Sequence, residues 1–331
     1  MKERFFCLLL ILCLFTAGTG FAAGGARTSG VNFYFDTVVT FTLYGADGGL
    51  MDDLWAACAR YESLLSKTVP GSDVDRINHA CGEWVTVDPE TWEILRQARL
   101  FSEQTGGAFS VTIAPVSALW DFTGGTKRMP TEEELTAALP LVDDSRIELG
   151  SESTVRLPAG MQIDLGGIAK GYIADQTAEM ARGRCAAAVL NFGGNVYTVG
   201  QKPDGSPFRV GITDPEATSN SIAVISVGDA TVVTSGTYER FFEVDGVRYH
   251  HILDPETGYS AESDLVSATI VCTSSMQADA LATACIVLGK DAAFRLLEEA
   301  GLDGVLIGKD RQMTATAGFA EKYSMQTTVG H

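Results

Sequence analysis

Three short segments of the chain combine residue types that can do chemistry. The first is Asp164-Leu165-Gly166-Gly167-Ile168-Ala169-Lys170-Gly171. Met161, Ile163 and Leu165 alternate with other residues, which predicts a strand over 160–165, and a helix is expected from about Ile168 to Arg182. The two glycines then stand where strand turns into helix, and free backbone N–H groups at a helix start attract anions. Lys170 falls in the first turn, where the helix dipole disfavours a cation unless an anion sits in front of it. Asp164 at the strand end can accept hydrogen bonds from a polar ring edge. A plain strand–turn–helix corner with a solvated lysine produces the same pattern.

The second segment runs from Ser274 to Thr283. Ser274 or Ser275 can cap a helix. Asp279 and Thr283, four apart, share a helix face. A carboxylate with a hydroxyl one turn later suits a hard cation such as Mg²⁺, completed by water and phosphate oxygens. Ala278, Ala280 and Ala282 keep the region narrow, leaving room for something bulky. An ordinary helix start is the competing reading. The third segment is Tyr249-His250-His251-Ile252-Leu253-Asp254-Pro255, a strand end with two histidines and a turn. Adjacent strand residues face opposite sides, so one imidazole faces a cleft and can act as a general base. A histidine bonded to the turn is the alternative.

These segments need elements to position them. Residues 31–44 are β-branched and aromatic and read as one strand. Helical spacing covers 50–65. Asp88-Pro89-Glu90 starts another helix, ended by Gly106-Gly107, and Thr131 with Glu134 forms a capping box. Strands are expected at 186–192, 195–200, 208–212, 222–227, 231–234, 240–244, 247–252, 265–272 and 303–307, with a helical region over 275–300 broken near Gly289. No βαβ regularity or linker appears. The expected class is α+β: a single two-lobed domain of mixed and antiparallel sheets with flanking helices.

Composition narrows the function. The 331 residues are 46% hydrophobic and 20% charged, an ordinary globular balance. A net charge of -18 repels phosphate backbones and argues against general nucleic-acid binding. Any anionic ligand then needs a local cation. The chain lacks GxGxxG, P-loop, HExxH and GxSxG patterns. Lys2, Arg4, an apolar run over Phe5–Phe15 and the small residues before Gly24 have the layout of a secretory signal peptide over 1–23. Cys58, Cys81, Cys185, Cys272 and Cys285 remain, with no CxxC pair. At most two disulfides can form among them, and Cys185, Cys272 and Cys285 read as core residues.

Taken in order, the segments resemble the FAD:protein FMN transferases, the ApbE family. The resemblance rests on Asp164 to Gly171, Gly193-Gly194-Asn195, Thr234-Ser235-Gly236 with Tyr238 and Arg240, His251-Ile252-Leu253-Asp254-Pro255 with Thr257-Gly258, and Ala278-Asp279 with Ala282-Thr283. Phe35-Asp36-Thr37, Leu65-Ser66, Ser72-Asp73, Arg76-Ile77-Asn78 and Gly107-Ala108-Phe109-Ser110 extend it over about residues 33–310. Phe35-Asp36 stands where many members have Met-Gly, and Ser110 where many have Asp. The resemblance implies an ApbE-like (T-fold-like) flavin transferase domain over 24–331. It implies transfer of FMN from FAD to a Thr or Ser hydroxyl of an acceptor protein, with release of AMP and dependence on Mg²⁺. It implies an acceptor segment like D-G-x-[ST]-G-A-[ST] in a respiratory or electron-transfer protein, and a place in the periplasm or at the outer face of the cytoplasmic membrane. It assigns Mg²⁺ to Asp279, Thr283, Ala282 and Gly167, and the FAD pocket to Phe35, Thr68, Ala108, Phe109, Ser110, Asp164, Lys170 and Leu253. His251 is the expected base for the acceptor hydroxyl, with Asp279 the other catalytic residue and His250 the fallback. Two other readings use the same site: an FAD pyrophosphatase giving FMN and AMP, and an exported flavin-binding protein without turnover.

Overall fold

The computed structural model describes residues 26–122 and 127–328. The expected signal segment, residues 1–23, lies outside them. An eight-stranded sheet organises the chain, in the spatial order Arg27–Tyr34, Thr37–Tyr44, Ala187–Phe192, Asn195–Gly200, Ala230–Gly236, Leu265–Cys272, Asp303–Gly308 and Met313–Ala315. Each neighbouring pair is antiparallel. With the flanking helices this is the α+β class expected.

The sheet buries a different apolar layer on each face. On one side the helices Leu50–Leu65, Pro89–Gln104, Ala169–Ala181 and Ser275–Leu288 contribute to the main core, where Leu54, Ile94, Ile173 and Leu281 join Phe41, Leu190 and Ile270 of the sheet. On the other, the strands Phe208–Asp214, Ala217–Val227 and Gln326–Thr327 form a small sheet, and Phe208 and Ile225 pack with Val232, Val305 and Phe319. A third cluster of Val116, Trp120, Leu135, Phe242 and Leu253 builds a second lobe. Trp120 Nε1 donates to the Gly258 carbonyl at 2.9 Å and so pins the 253–260 turn to that lobe.

The structure corrects several expectations. The segment 31–44 is not one strand but part of a hairpin, turned at Phe35 and Asp36. Both have left-handed backbones, φ 56° and 55°, the signature of a two-residue type I′ turn. Asn-Gly is the usual sequence there, so Phe-Asp gives no turn signal. The Phe35 N–H donates to Glu62 Oε1 at 2.8 Å, which helps hold the turn. The segment 160–165 forms no strand. Its extended backbone is held instead by Asn78, whose side chain bonds both the N–H and the carbonyl of Ile163. The break at Gly289 is as expected: at φ 75° it separates Ser275–Leu288 from Lys290–Glu299. The five cysteines are free; Cys58 and Cys285 are buried, whereas Cys185 and Cys272 are only partly so.

Ala278, Ala280 and Ala282 leave no open space, because all three are fully buried. Small residues here let two helices touch. A Cβ added to Gly171 would stand 2.3 Å from the Ser275 carbonyl oxygen and 2.7 Å from Met276 Cα. Backbone cannot yield as a side chain does, so Gly171→Ala is expected to destabilise the fold by about 3 kcal/mol, the upper range for overpacking. A urea midpoint unchanged from wild type would show that the helices can separate freely.

Candidate active site

The register of the sheet brings distant motifs to one end. The Phe35-Asp36 turn lies beside the Gly193-Gly194 turn, because Val39 pairs with Phe192. A Cβ on Gly193 would sit 2.1 Å from Thr37 Oγ1, so only glycine fits there. In the next strand Val232 pairs with Val196, which carries Ser235 past the same end. Arg240 donates from Nη2 to the Asp36 carbonyl at 3.4 Å and accepts the His251 N–H on its own carbonyl at 3.0 Å.

Asp279 is the centre of this region. Its side chain is only 4% exposed. Oδ2 accepts the Gly171 N–H at 2.9 Å, and Oδ1 lies 3.4 Å from the Lys170 ammonium. Lys170 Nζ also donates to the Gly166 carbonyl at 2.9 Å. The anion facing this first-turn lysine is therefore the protein's own carboxylate. The corner offers few free N–H groups to a ligand. Those of Ile168 and Ala169 bond to Leu165, that of Gly166 to Asp164 Oδ1, and that of Gly171 to Asp279. A reciprocal bond fixes the second helix. Asp175 accepts from the N–H groups of Ser275 and Met276 at 2.6 and 3.0 Å, and Ser274 caps the same helix end through Gln277. Burial pushes the Asp175 carboxyl up to about 6, against these hydrogen bonds.

The oxygens around Asp279 fit a hard cation. Thr283 Oγ1 lies 3.4 Å from Ser235 Oγ and donates to the Asp279 carbonyl at 3.1 Å. A Cβ on Gly167 would stand 3.8 Å from Thr283 Oγ1 and 3.3 Å from the Phe109 ring, so the Gly167 backbone approaches both. Carboxylate, hydroxyl and backbone oxygens without sulfur or imidazole suit Mg²⁺. Among the described residues no cluster of three His, Cys, Asp or Glu forms a self-sufficient metal cage. One carboxylate fits an ion that keeps water and takes phosphate oxygens as further ligands.

The two histidines have different surroundings. His250 is turned to the 260–261 segment: its N–H donates to Ser260 Oγ at 2.8 Å, and Nε2 lies 3.3 Å from the Ala261 carbonyl. His251 follows the strand Val247–His250; its Nδ1 is buried with no partner, as is that of His250, but no bond like that of His250 Nε2 to Ala261 turns its ring away. Burial, then the positive charges of Arg240 and Lys170, pushes the His251 imidazole down to about 3. The imidazole is therefore neutral at pH 7 and leaves one ring nitrogen unprotonated, though as a weaker base than an ordinary histidine until an anion offsets those cations. Glu239 lies within electrostatic reach of the same groups: the surrounding protein raises its carboxyl, Lys170 and Arg240 opposing and Asp279 reinforcing.

Of the other candidates, Phe109 touches the Gly167 backbone and Asp164 accepts the Gly166 N–H, while the rest are held by contacts of their own. Asp164 Oδ2 accepts from Lys67 Nζ at 2.6 Å, which draws in the loop where Ser66 bonds Thr68. Phe109 is buried, its N–H on Thr105 Oγ1. Ser110 donates to Asp144 at 2.6 Å, and Ala108 packs at the edge of the main core. Phe35 lies against Phe192, with ring centres 6.5 Å apart. Leu253 belongs to the apolar cluster of the second lobe, and Ala282 is fully buried beside Thr283.

The ApbE family model matches residues 35–306. The chain belongs to the ApbE family. A Treponema pallidum protein named FAD:protein FMN transferase is 35% identical over 95% of this chain and 93% of its own length. A Klebsiella pneumoniae protein of that name is 34% identical over 83% and 87%. The ApbE protein of Thermotoga maritima superposes with a TM-score of 0.83 at 33% identity, covering 89% of this chain and 99% of that one. The Pseudomonas stutzeri flavinyl transferase ApbE superposes at 0.81 and 26% identity, over 93% and 99%.

For an ApbE chain, sequence reasoning gave no role to Lys67, Asp175, Ser235, Glu239 or Arg240. Ser235 and Arg240 stood within the quoted motifs, and their polar type among strand residues was the available signal. Lys67 and Asp175 reach the site through partners about one hundred residues away, which no local pattern reveals.

Proposed function

We propose that the protein transfers the FMN half of FAD to a Thr or Ser hydroxyl of an acceptor protein and releases AMP. The observation that carries this reading is the meeting of Asp279, Thr283 and Ser235 oxygens with the Lys170 ammonium, beside His251, whose Nδ1 is buried without a partner and whose imidazole feels the charges of Arg240 and Lys170. Asp279, Thr283 and the backbone at Gly167 and Ala282 would hold Mg²⁺, which when bound offsets the charge of the diphosphate. Lys170 and Arg240 supply positive charge that a protein of net charge -18 otherwise lacks. Phe35, Phe109 and the Asp164–Lys67 pair border the FAD pocket. His251 takes the acceptor hydroxyl proton as the oxygen bonds to the FMN phosphorus. The bond from that phosphorus to the AMP oxygen breaks, and AMP leaves as an anion. The residues 1–23 fit an export signal, placing the reaction outside the cytoplasm.

The test mixes the protein with FAD, MgCl₂ and a small domain carrying D-G-A-T-G-A-T. A flavin-fluorescent acceptor band on a denaturing gel, lost with EDTA, is the expected result. Free FMN and AMP without a labelled acceptor would establish a pyrophosphatase, and intact FAD with several acceptors a binding protein.

A further inference from the structure

The hairpin Arg27–Tyr34/Thr37–Tyr44 ends the main sheet, and the outer edge of Arg27–Tyr34 has no neighbouring strand among the described residues. Proteins usually guard such an edge with charge, proline or a bulge, because unpaired backbone recruits other strands. Here no charged residue or proline lies between Arg27 and Asp36, and the pairing runs without a bulge. The inner face is filled: Trp55 stacks on Phe41 and lies so close to Gly30 that a Cβ there would be 3.0 Å from its ring. The outer face is bare. Phe33 stands opposite Val38 in the register, with Val31 two residues along, and these are 63%, 55% and 69% exposed. The small sheet that covers other strands on this side leaves these residues open.

The position of the hairpin selects its occupant. Its turn carries the Asp36 carbonyl that accepts from Arg240, and the Arg240 carbonyl in turn accepts from His251. A strand laid along Arg27–Tyr34 therefore runs toward the turn that Arg240 ties to His251. In a protein of net charge -18, the stretch 27–44 carries only Arg27 and Asp36 as charges, so it adds little repulsion against an uncharged segment laid along it.

We propose that the acceptor protein docks here, an extended uncharged segment pairing with the free edge of Arg27–Tyr34 and an apolar side chain resting on Val31, Phe33 and Val38. Backbone bonds give such strand addition its grip, and the exposed side chains its selectivity. This inference rests on the transferase reading above.

The test measures transfer from FAD to the acceptor domain at varied acceptor concentration, with full-length wild type, Phe33→Asp and Val31→Lys. Both sites are exposed, and an unchanged melting temperature verifies the fold. The expected result is an acceptor KM raised about tenfold or more in each variant, the loss of a docking contact worth about 1.4 kcal/mol. FAD affinity and kcat at saturating acceptor stay as in wild type. An unchanged acceptor KM overturns the proposal. So does an unchanged KM with loss of a wild-type dimer by sedimentation, which makes the face a self-interface, or with loss of binding to phosphatidylcholine vesicles, which makes it a lipid contact. If wild type labels no acceptor, the transferase reading itself fails, and this inference with it.

Discussion

Asp279→Asn is expected to cut FMN transfer about 10²–10³-fold, equivalent to about 3–4 kcal/mol of barrier, the usual cost of removing one preorganised charge-stabilising group. Asparagine is the right replacement because of what Asp279 touches. Its Oδ2 accepts the buried Gly171 N–H, and an asparagine oxygen preserves that bond while removing the charge. Alanine would leave the N–H unpaired, a desolvation cost of about 1–3 kcal/mol, and confuse folding with catalysis. The Lys170 ammonium keeps its bond to the Gly166 carbonyl in either case. A second readout separates metal holding from chemistry. Mg²⁺ that binds the folded state raises the melting temperature of wild type by mass action, and this rise should disappear in Asp279→Asn. Retained Mg²⁺-dependent transfer with a retained thermal shift would remove Asp279 from the metal site.

The same contacts show which parts of the site could be read before the fold was known. Asp279 and Thr283 were legible because helical spacing is local: four residues apart puts two side chains on one face. Helix caps at Thr131 and Ser274 were legible for the same reason. The anion-binding corner at Gly166-Gly167 was misread, because the groups that satisfy its N–H donors lie partly on another element, as with Asp279 and Gly171. The alanines of Ser275–Leu288 leave no open space because they are fully buried, and whether a small residue faces a ligand or the core depends on partners that are distant in sequence. The hairpin turn escaped notice because its left-handed residues are Phe and Asp, held by Glu62 from a distant helix. The longer strands between 186 and 307 were legible, since period-two patterns and glycine turns are local, whereas the two- and three-residue strands Val85–Thr86, Glu148–Leu149, Thr154–Arg156, Met313–Ala315 and Gln326–Thr327 are too short to show a period.

His251→Ala is expected to lower transfer about 10²–10⁴-fold with FAD affinity little changed, the range for loss of a positioned base. His250→Ala should not reproduce this, because its ring faces the Ala261 carbonyl. The pH dependence sharpens the distinction. A base works only unprotonated, so activity falls as pH falls through its pKa. In the free protein burial, helped by Arg240 and Lys170, holds His251 down to about 3, so the acid limb of kcat/KM due to this residue lies well below the ordinary histidine value of 6.5. Bound FAD brings a diphosphate that offsets those cations. The acid limb of kcat, which reports the complex, should therefore lie at higher pH than that of kcat/KM. The stability sign follows from the same depression. Between pH 6.5 and 3 the unfolded chain takes up a proton at this residue that the folded chain refuses, so acid removes its contribution to stability. His251→Gln should accordingly show less loss of melting temperature from pH 7 to 5 than wild type. Equal acid sensitivity, together with near-normal transfer by His251→Ala, would assign proton removal to another group, and Glu239, whose carboxyl is raised within reach of Lys170, Arg240 and Asp279, is the one to substitute next.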